Sequence, residues 1–207
     1  MITVVDYGMG NLRSVQKAME HLGFKCIVTS RRIDIDSASH IIVPGVGAFR
    51  DAMKRLEDLS LTDCLRENVK KGKPFLGICL GMQILFEEST EFGRYRGLGI
   101  LRGRVVRFFE SLGSSASALK VPHMGWNRVN IIKENLLIAS QNNNRFFYFV
   151  HSYYVDPAER AIVAGETEYG INFASFIANG NVFATQFHPE KSQQYGLEIL
   201  KRFGELK

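Results

Sequence analysis

The feature that most restricts how this chain can fold is an apolar run that passes through a single cysteine into a helical pattern. Pro74-Phe75-Leu76-Gly77-Ile78 reads as a buried strand, Cys79 stands at its end, and Leu80 to Glu88 follows with helical period. Glycines two residues before and after the cysteine, Gly77 and Gly81, give the form Gly-x-Cys-x-Gly. Such a frame removes the side chains that would clash where a sharp strand-to-helix turn lifts one residue out of a sheet. A junction of this kind belongs to an α/β fold.

The upstream sequence repeats that alternation. Ile2 to Val5 reads as a strand, Leu12, Val15, Met19 and Leu22 fall on one helix face, and Gly23 follows at the stop position. Cys26-Ile27-Val28 and Ile41-Ile42-Val43 supply further strands. Met53, Leu56 and Leu59 mark a helix, and another helical stretch ends near Gly72. The expected core is therefore a mostly parallel sheet between helix layers. From Ile100 onward the texture changes. The runs Val105-Val106, Phe146 to Val150, Ile171 to Ile177 and Val182 to Phe187 predict mixed or antiparallel strands added to the sheet. Residues 111–120, with four serines and one glycine, read as a mobile surface loop, and Tyr195, Ile199, Leu200, Phe203 and Leu206 as a last helical face. No repeat or linker interrupts the pattern, so residues 1–207 read as a single domain.

Composition excludes several classes. No stretch approaches the ~18 apolar residues of a membrane span, and the start lacks a basic leader, so the expectation is a cytoplasmic protein without a membrane partner. The net charge of +5 is carried by scattered basic residues, without a nucleic-acid-binding signature, which argues against a nucleic-acid partner. Three widely spaced cysteines, Cys26, Cys64 and Cys79, suit neither a disulfide framework nor a zinc site.

A lone cysteine is more often a small buried hydrophobe than a reagent, and that reading is kept for Cys26 and Cys64. The glycine frame reverses it for Cys79. At a helix start its thiolate is favoured by backbone N–H groups and the helix dipole, and the Leu80 N–H points toward an oxyanion formed at an attacked carbon. A base is then required. Among the five histidines, His188 ends the run Val182 to Phe187 and is followed by Pro189 and Glu190. If the chain stays extended through Pro189, His188 and Glu190 project to the same side, and the carboxylate can orient the ring. Read without Cys79, the same tripeptide is an ordinary surface turn, and one His-x-Glu offers too few ligands for a metal. A third element, Val43-Pro44-Gly45-Val46-Gly47, can aim a backbone N–H at the same point, and glycine on both sides leaves the Val46 peptide free to rotate. Two such donors are each worth roughly 3 kcal/mol of transition-state stabilisation. Gly8-Met9-Gly10-Asn11 lacks the third glycine of a dinucleotide fingerprint, so a tight turn suffices to explain it.

Taken in order, Pro44 to Gly47, Gly77 to Gln83 and Phe187-His188-Pro189-Glu190 resemble the class I, triad-type glutamine amidotransferases. The resemblance implies a flavodoxin-like three-layer fold with a nucleophile elbow and hydrolysis of L-glutamine to L-glutamate and ammonia without a cofactor. Cys79 would be the nucleophile, His188 the acid and base and Glu190 its orienter. Gln83 and Gly45 to Gly47 would line the glutamine pocket. Asp6 to Leu12, Pro122-His123-Met124-Gly125-Trp126-Asn127 and Phe149 to Tyr154 further resemble glutaminase subunits of imidazole glycerol phosphate synthase. That implies a heterodimer with a (β/α)8-barrel cyclase in histidine biosynthesis, with Pro122 to Asn127 and Lys191 as candidate contacts. The alternatives left open are a glutaminase serving another ammonia acceptor, a stand-alone cysteine hydrolase, and an inactive binding subunit.

Overall fold

The computed structural model describes residues 1–108, 119–138 and 143–207; most of the serine-rich loop expected at residues 111–120 lies outside the described residues. Five strands form a parallel half-sheet in the order β2-β1-β3-β4-β13. These are β1 (Ile2–Val5), β2 (Cys26–Thr29), β3 (His40–Gly45), β4 (Phe75–Cys79) and β13 (Val182–Thr185). Strands β1, β3, β4 and β13 are buried at every position, as expected when helices cover both faces. Alternate residues serve opposite layers. Val5, Ile41, Val43 and Phe75 pack on the side of α3 (Phe49–Asp58) and α4 (Leu61–Lys70). Val4, Ile42, Leu76 and Ile78 pack on the side of α1 (Leu12–His21) and α6 (Gln193–Gly204). Ile199, Leu200 and Phe203 of α6 are fully buried, as the apolar face predicts.

The second half is antiparallel where the aromatic runs predicted it. Beyond β13 lie β12 (Asn172–Asn179), β10 (Tyr153–Pro157) and β7 (Gly103–Arg107), followed by short β5 (Glu88–Ser89) and β6 (Tyr95–Arg96). A branch through β11 (Val163–Glu168) joins β8 (His123–Ile131) and β9 (Arg145–His151). Among the described residues no helix is long and apolar enough to cross a membrane.

Two expectations fail locally. Helix α2 (Arg32–Ser37) was not foreseen, because its polar sequence buries only Ile35. The helix after Cys79, α5, covers only Leu80–Gln83 and does not reach Glu88. The carbonyls of Ile84, Leu85 and Phe86 accept hydrogen bonds from the N–H groups of Leu98, Ile100 and Gly99 instead of continuing the helical ladder. Tertiary hydrogen bonds thus override a favourable apolar period.

Candidate active site

Register brings the singled-out segments together. Gly45 pairs with Cys79 across β3 and β4, and Thr185 pairs with Ile78 across β13 and β4, so all three segments end at the carboxyl edge of the parallel strands. That edge is where open α/β sheets present their ligands. Cys79 itself has φ 57° and ψ −109°, a conformation unfavourable for a residue with a side chain. The glycine frame works as expected: a Cβ at Gly77 would strike the Gly81 backbone, and one at Gly81 the Val43 carbonyl. The one-turn length of α5 leaves little helix dipole, so hydrogen bonds and nearby charges dominate the sulfur's environment.

Cys79 Sγ lies 3.6 Å from Gln186 Nε2 and 3.9 Å from the Val150 carbonyl. His188 Nδ1 is 2.8 Å from Glu190 Oε1, with both side chains almost fully buried. The chain is not extended here: Pro189–Lys191 is a 3-10 turn, and this curl brings carboxylate and ring together. His188 Nε2 is buried with no hydrogen-bond partner of good geometry. Burial opposes protonation of the ring, but hydrogen bonding and charge from Cys79 and Glu190 outweigh it and raise its pKa to about 10. The sulfur thus lies close enough to the imidazole to bear on the ring's protonation.

A cleft of about 380 Å³ opens over the sulfur, lined by Val46, Gly47, Leu80, Gln83, Glu91, Pro122 and the Val150 to Tyr153 segment. Gly47 has φ +102°, in the left-handed region. Gly45 serves a different need from the rotational freedom expected of it, since an added Cβ would collide with the Tyr7 hydroxyl and Leu80. Gln83 is in the cleft wall, its Nε2 donating to the Tyr153 carbonyl at 3.0 Å and to Gln186 Oε1 at 3.1 Å.

Sequence reasoning missed Glu91 and Gln186. Glu91 accepts the Phe49 N–H at 2.6 Å, and burial raises its carboxyl pKa, with that hydrogen bond opposing. It forms part of the cleft wall. No local motif marks Glu91, whereas Gln186 sits directly in the run before His188.

The Pro122 to Asn127 segment divides. Pro122 borders the cleft, while Met124 and Trp126 are 62% and 46% exposed, with Gly125 between them at φ +131°. Trp126 is thus no core tryptophan; it meets Tyr148 edge-on, and Lys191 Nζ lies over the same Tyr148 ring. His123 cannot touch a partner directly. It is buried and stacked on Phe149 and Tyr169.

A strained cysteine at a strand end, a buried His–Glu pair beside it and a cleft over the sulfur define a cysteine-dependent acyl-transfer enzyme. The sequence profile of the family "Glutamine amidotransferase class-I" matches residues 3–205, and the chain belongs to that family. It is 48% identical over 206 residues to the imidazole glycerol phosphate synthase subunit HisH of Syntrophotalea carbinolica, covering 100% of both chains. It is 51% identical over 201 residues to the HisH subunit of Aquifex aeolicus, covering 97% of this chain and 94% of that one. Within the class, the chain falls among these HisH subunits. A solved glutamine amidotransferase superimposes with TM-score 0.73 at 20% identity over 99% of this chain and 100% of that one, which shows the common fold.

Proposed function

We propose that this chain hydrolyses L-glutamine to L-glutamate and ammonia, with Cys79 as nucleophile, His188 as acid and base, and Glu190 as the group that orients and charges His188. The observation that carries the reading is the His188–Glu190 pair, buried beside Cys79 with Nε2 left for proton transfer. Cys79 Sγ attacks the side-chain amide carbon, and the carbonyl electron pair moves to oxygen. The backbone N–H groups of Val46 and Leu80 are the proposed donors to that oxyanion. Nε2–H of His188 then protonates the departing nitrogen, ammonia leaves, and a glutamyl thioester remains on Cys79.

The interaction that raises the His188 pKa explains why one residue can act both ways. Acylation removes the charge on sulfur, and with it part of what holds the proton on His188. The ring becomes a better base for the water that opens the thioester, and collapse returns glutamate and the thiolate. Glu91 is proposed to hold the substrate's ammonium and Gln83 to border its path. Ammonia in water becomes ammonium and loses its nucleophilicity, which favours direct transfer to a partner.

The relatives carry the name of an imidazole glycerol phosphate synthase subunit, and this supports a (β/α)8-barrel cyclase as the heterodimeric partner in histidine biosynthesis. Met124, Trp126 and Lys191 offer it an exposed surface beside the cleft. The three free cysteines suit the reducing cytoplasm proposed as the compartment. Glutamate release, measured for this subunit alone, with the cyclase, and with cyclase plus its nucleotide substrate, tests the proposal. Release that depends on Cys79 and rises with the liganded cyclase is expected. Turnover of peptide or ester substrates in place of glutamine would overturn the reaction, and stimulation only by a different acceptor enzyme would overturn the partner.

A further inference from the structure

Beside the triad runs a line of uncharged side chains whose donors and acceptors can be assigned one after another. The Arg128 N–H donates to Asn127 Oδ1 at 2.7 Å, so Asn127 Nδ2 is the donor to the Glu168 carbonyl at 2.9 Å and to His123 Nε2 at 3.1 Å. His123 must then carry its proton on Nδ1 and donate to His151 Nε2, 2.9 Å away. His151 in turn carries its proton on Nδ1 and donates to the Tyr153 carbonyl at 2.8 Å, which can only accept. The two ends of the line therefore demand the same tautomers, and neither ring has room for a second proton.

The Tyr153 carbonyl also accepts Gln83 Nε2–H, whose other hydrogen goes to Gln186 Oε1. Gln186 is thereby forced to turn its Nε2–H toward Cys79 Sγ. Amide orientation is assigned from partners, and here each amide has its orientation set by the one before it.

We propose that Gln186 is a catalytic residue whose amide N–H supports the Cys79 thiolate. We further propose that Asn127, His123, His151 and Gln83 are positioning residues holding that amide through the Tyr153 carbonyl. The sulfur has the Val150 carbonyl on another side, a dipole unfavourable to a thiolate, so a fixed donor from Gln186 matters to its charge. A purely structural role for His123 and His151, as rings in the aromatic cluster around Phe108, Phe149 and Phe173, would affect stability alone. The inference rests on Cys79 being the nucleophile, but it can be read without glutamine.

The test is alkylation of Cys79 by iodoacetamide as a function of pH in the full-length protein, followed on the Cys79 peptide by mass spectrometry. Gln186→Leu is expected to slow alkylation at pH 7 by about tenfold and to move the profile to higher pH. His123→Phe, which keeps a ring in the cluster, and Asn127→Leu at the outer end are expected to slow it three- to tenfold. In a Gln186→Leu background neither should have a further effect. Asn127→Leu keeps the test open if His123→Phe fails to fold. Rates within twofold of wild type in folded variants, or effects that simply add to that of Gln186→Leu, would overturn the proposal. Wild-type protein that alkylates readily at Cys79 but releases no glutamate with any partner would instead overturn the glutaminase reading.

Discussion

Two sets of buried histidines in this molecule are driven toward opposite protonation states. His188 is buried and raised to about 10, whereas His123 and His151 are buried and lowered to about 4 and about 3. Burial acts in the same direction on all three. Cys79 contributes most to raising His188, and the Nδ1 partner adds to it: a carboxylate for His188 where His151 has a backbone carbonyl. A full charge, added to that of Cys79, outweighs desolvation; a carbonyl dipole does not. The first arrangement makes an acid ready to protonate a leaving group, and the second makes a rigid neutral spacer.

The comparison breaks most completely at the sulfur. Cys79→Ala should abolish glutamate release, a fall of about ten-thousand-fold or more, while leaving the folded state intact. In the same variant the His188 pKa, followed by its ring-proton NMR signal, should move down from about 10 toward the value the His–Glu pair alone sustains. An unmoved His188 titration would mean that Glu190 alone accounts for the raised value.

The partner carboxylate comes next. His188→Ala should lower kcat more than Glu190→Gln does, by a further ~10-fold, because an amide can still hold the ring but cannot stabilise the imidazolium. Single-turnover measurements with equal or reversed effects would show that base and orienter have been interchanged.

A smaller effect separates the sites by pH. Unfolded histidines bind protons below about 6.5, but His123 and His151 in the folded protein resist doing so until about 4 and about 3. Their contribution to stability is therefore complete above about pH 6.5 and is lost as pH falls toward 3; His40, lowered mainly by burial, adds to the same limb. His188 has the opposite sign. Its contribution is complete below about 6.5 and is lost as pH rises through about 10. Urea unfolding midpoints should already decline between pH 6.5 and 5, above the range of ordinary carboxylates, and His123→Phe should flatten that decline. A wild-type midpoint that is constant over this interval would contradict the neutral assignment.

The smallest effect belongs to the other thiols. Cys26 and Cys64 are buried away from the cleft, and burial raises both to about 11, so neither is a thiolate near neutrality. Cys26→Ser or Cys64→Ser should leave kcat within about twofold and cost stability alone, on the order of 1–3 kcal/mol for the unpaired buried hydroxyl at position 26 and less at position 64, where Asp36 and Asn68 can pair the hydroxyl. Thermal melting and glutaminase assays on the same preparations would check both halves.

The sequence by itself determined the parts whose geometry is local. The Gly77–Gly81 frame specified a nucleophile turn, because only glycine fits where the two backbones meet, and His188 and Glu190 could be paired because only Pro189 lies between them. The parallel half of the sheet was equally legible, since strands buried on both faces must be apolar throughout. Tertiary structure alone decided the rest. Gln83 meets Tyr153 across 70 positions of chain and Gln186 meets Cys79 across 107, distances over which no periodicity speaks. The helix after Cys79 stopped at Gln83 because Leu98 to Ile100 took the carbonyls of Ile84 to Phe86, and the extended chain expected at Pro189 became a turn. Whether a buried histidine is charged follows from which atom faces its nitrogen, and that atom is supplied by how the strands and turns pack together.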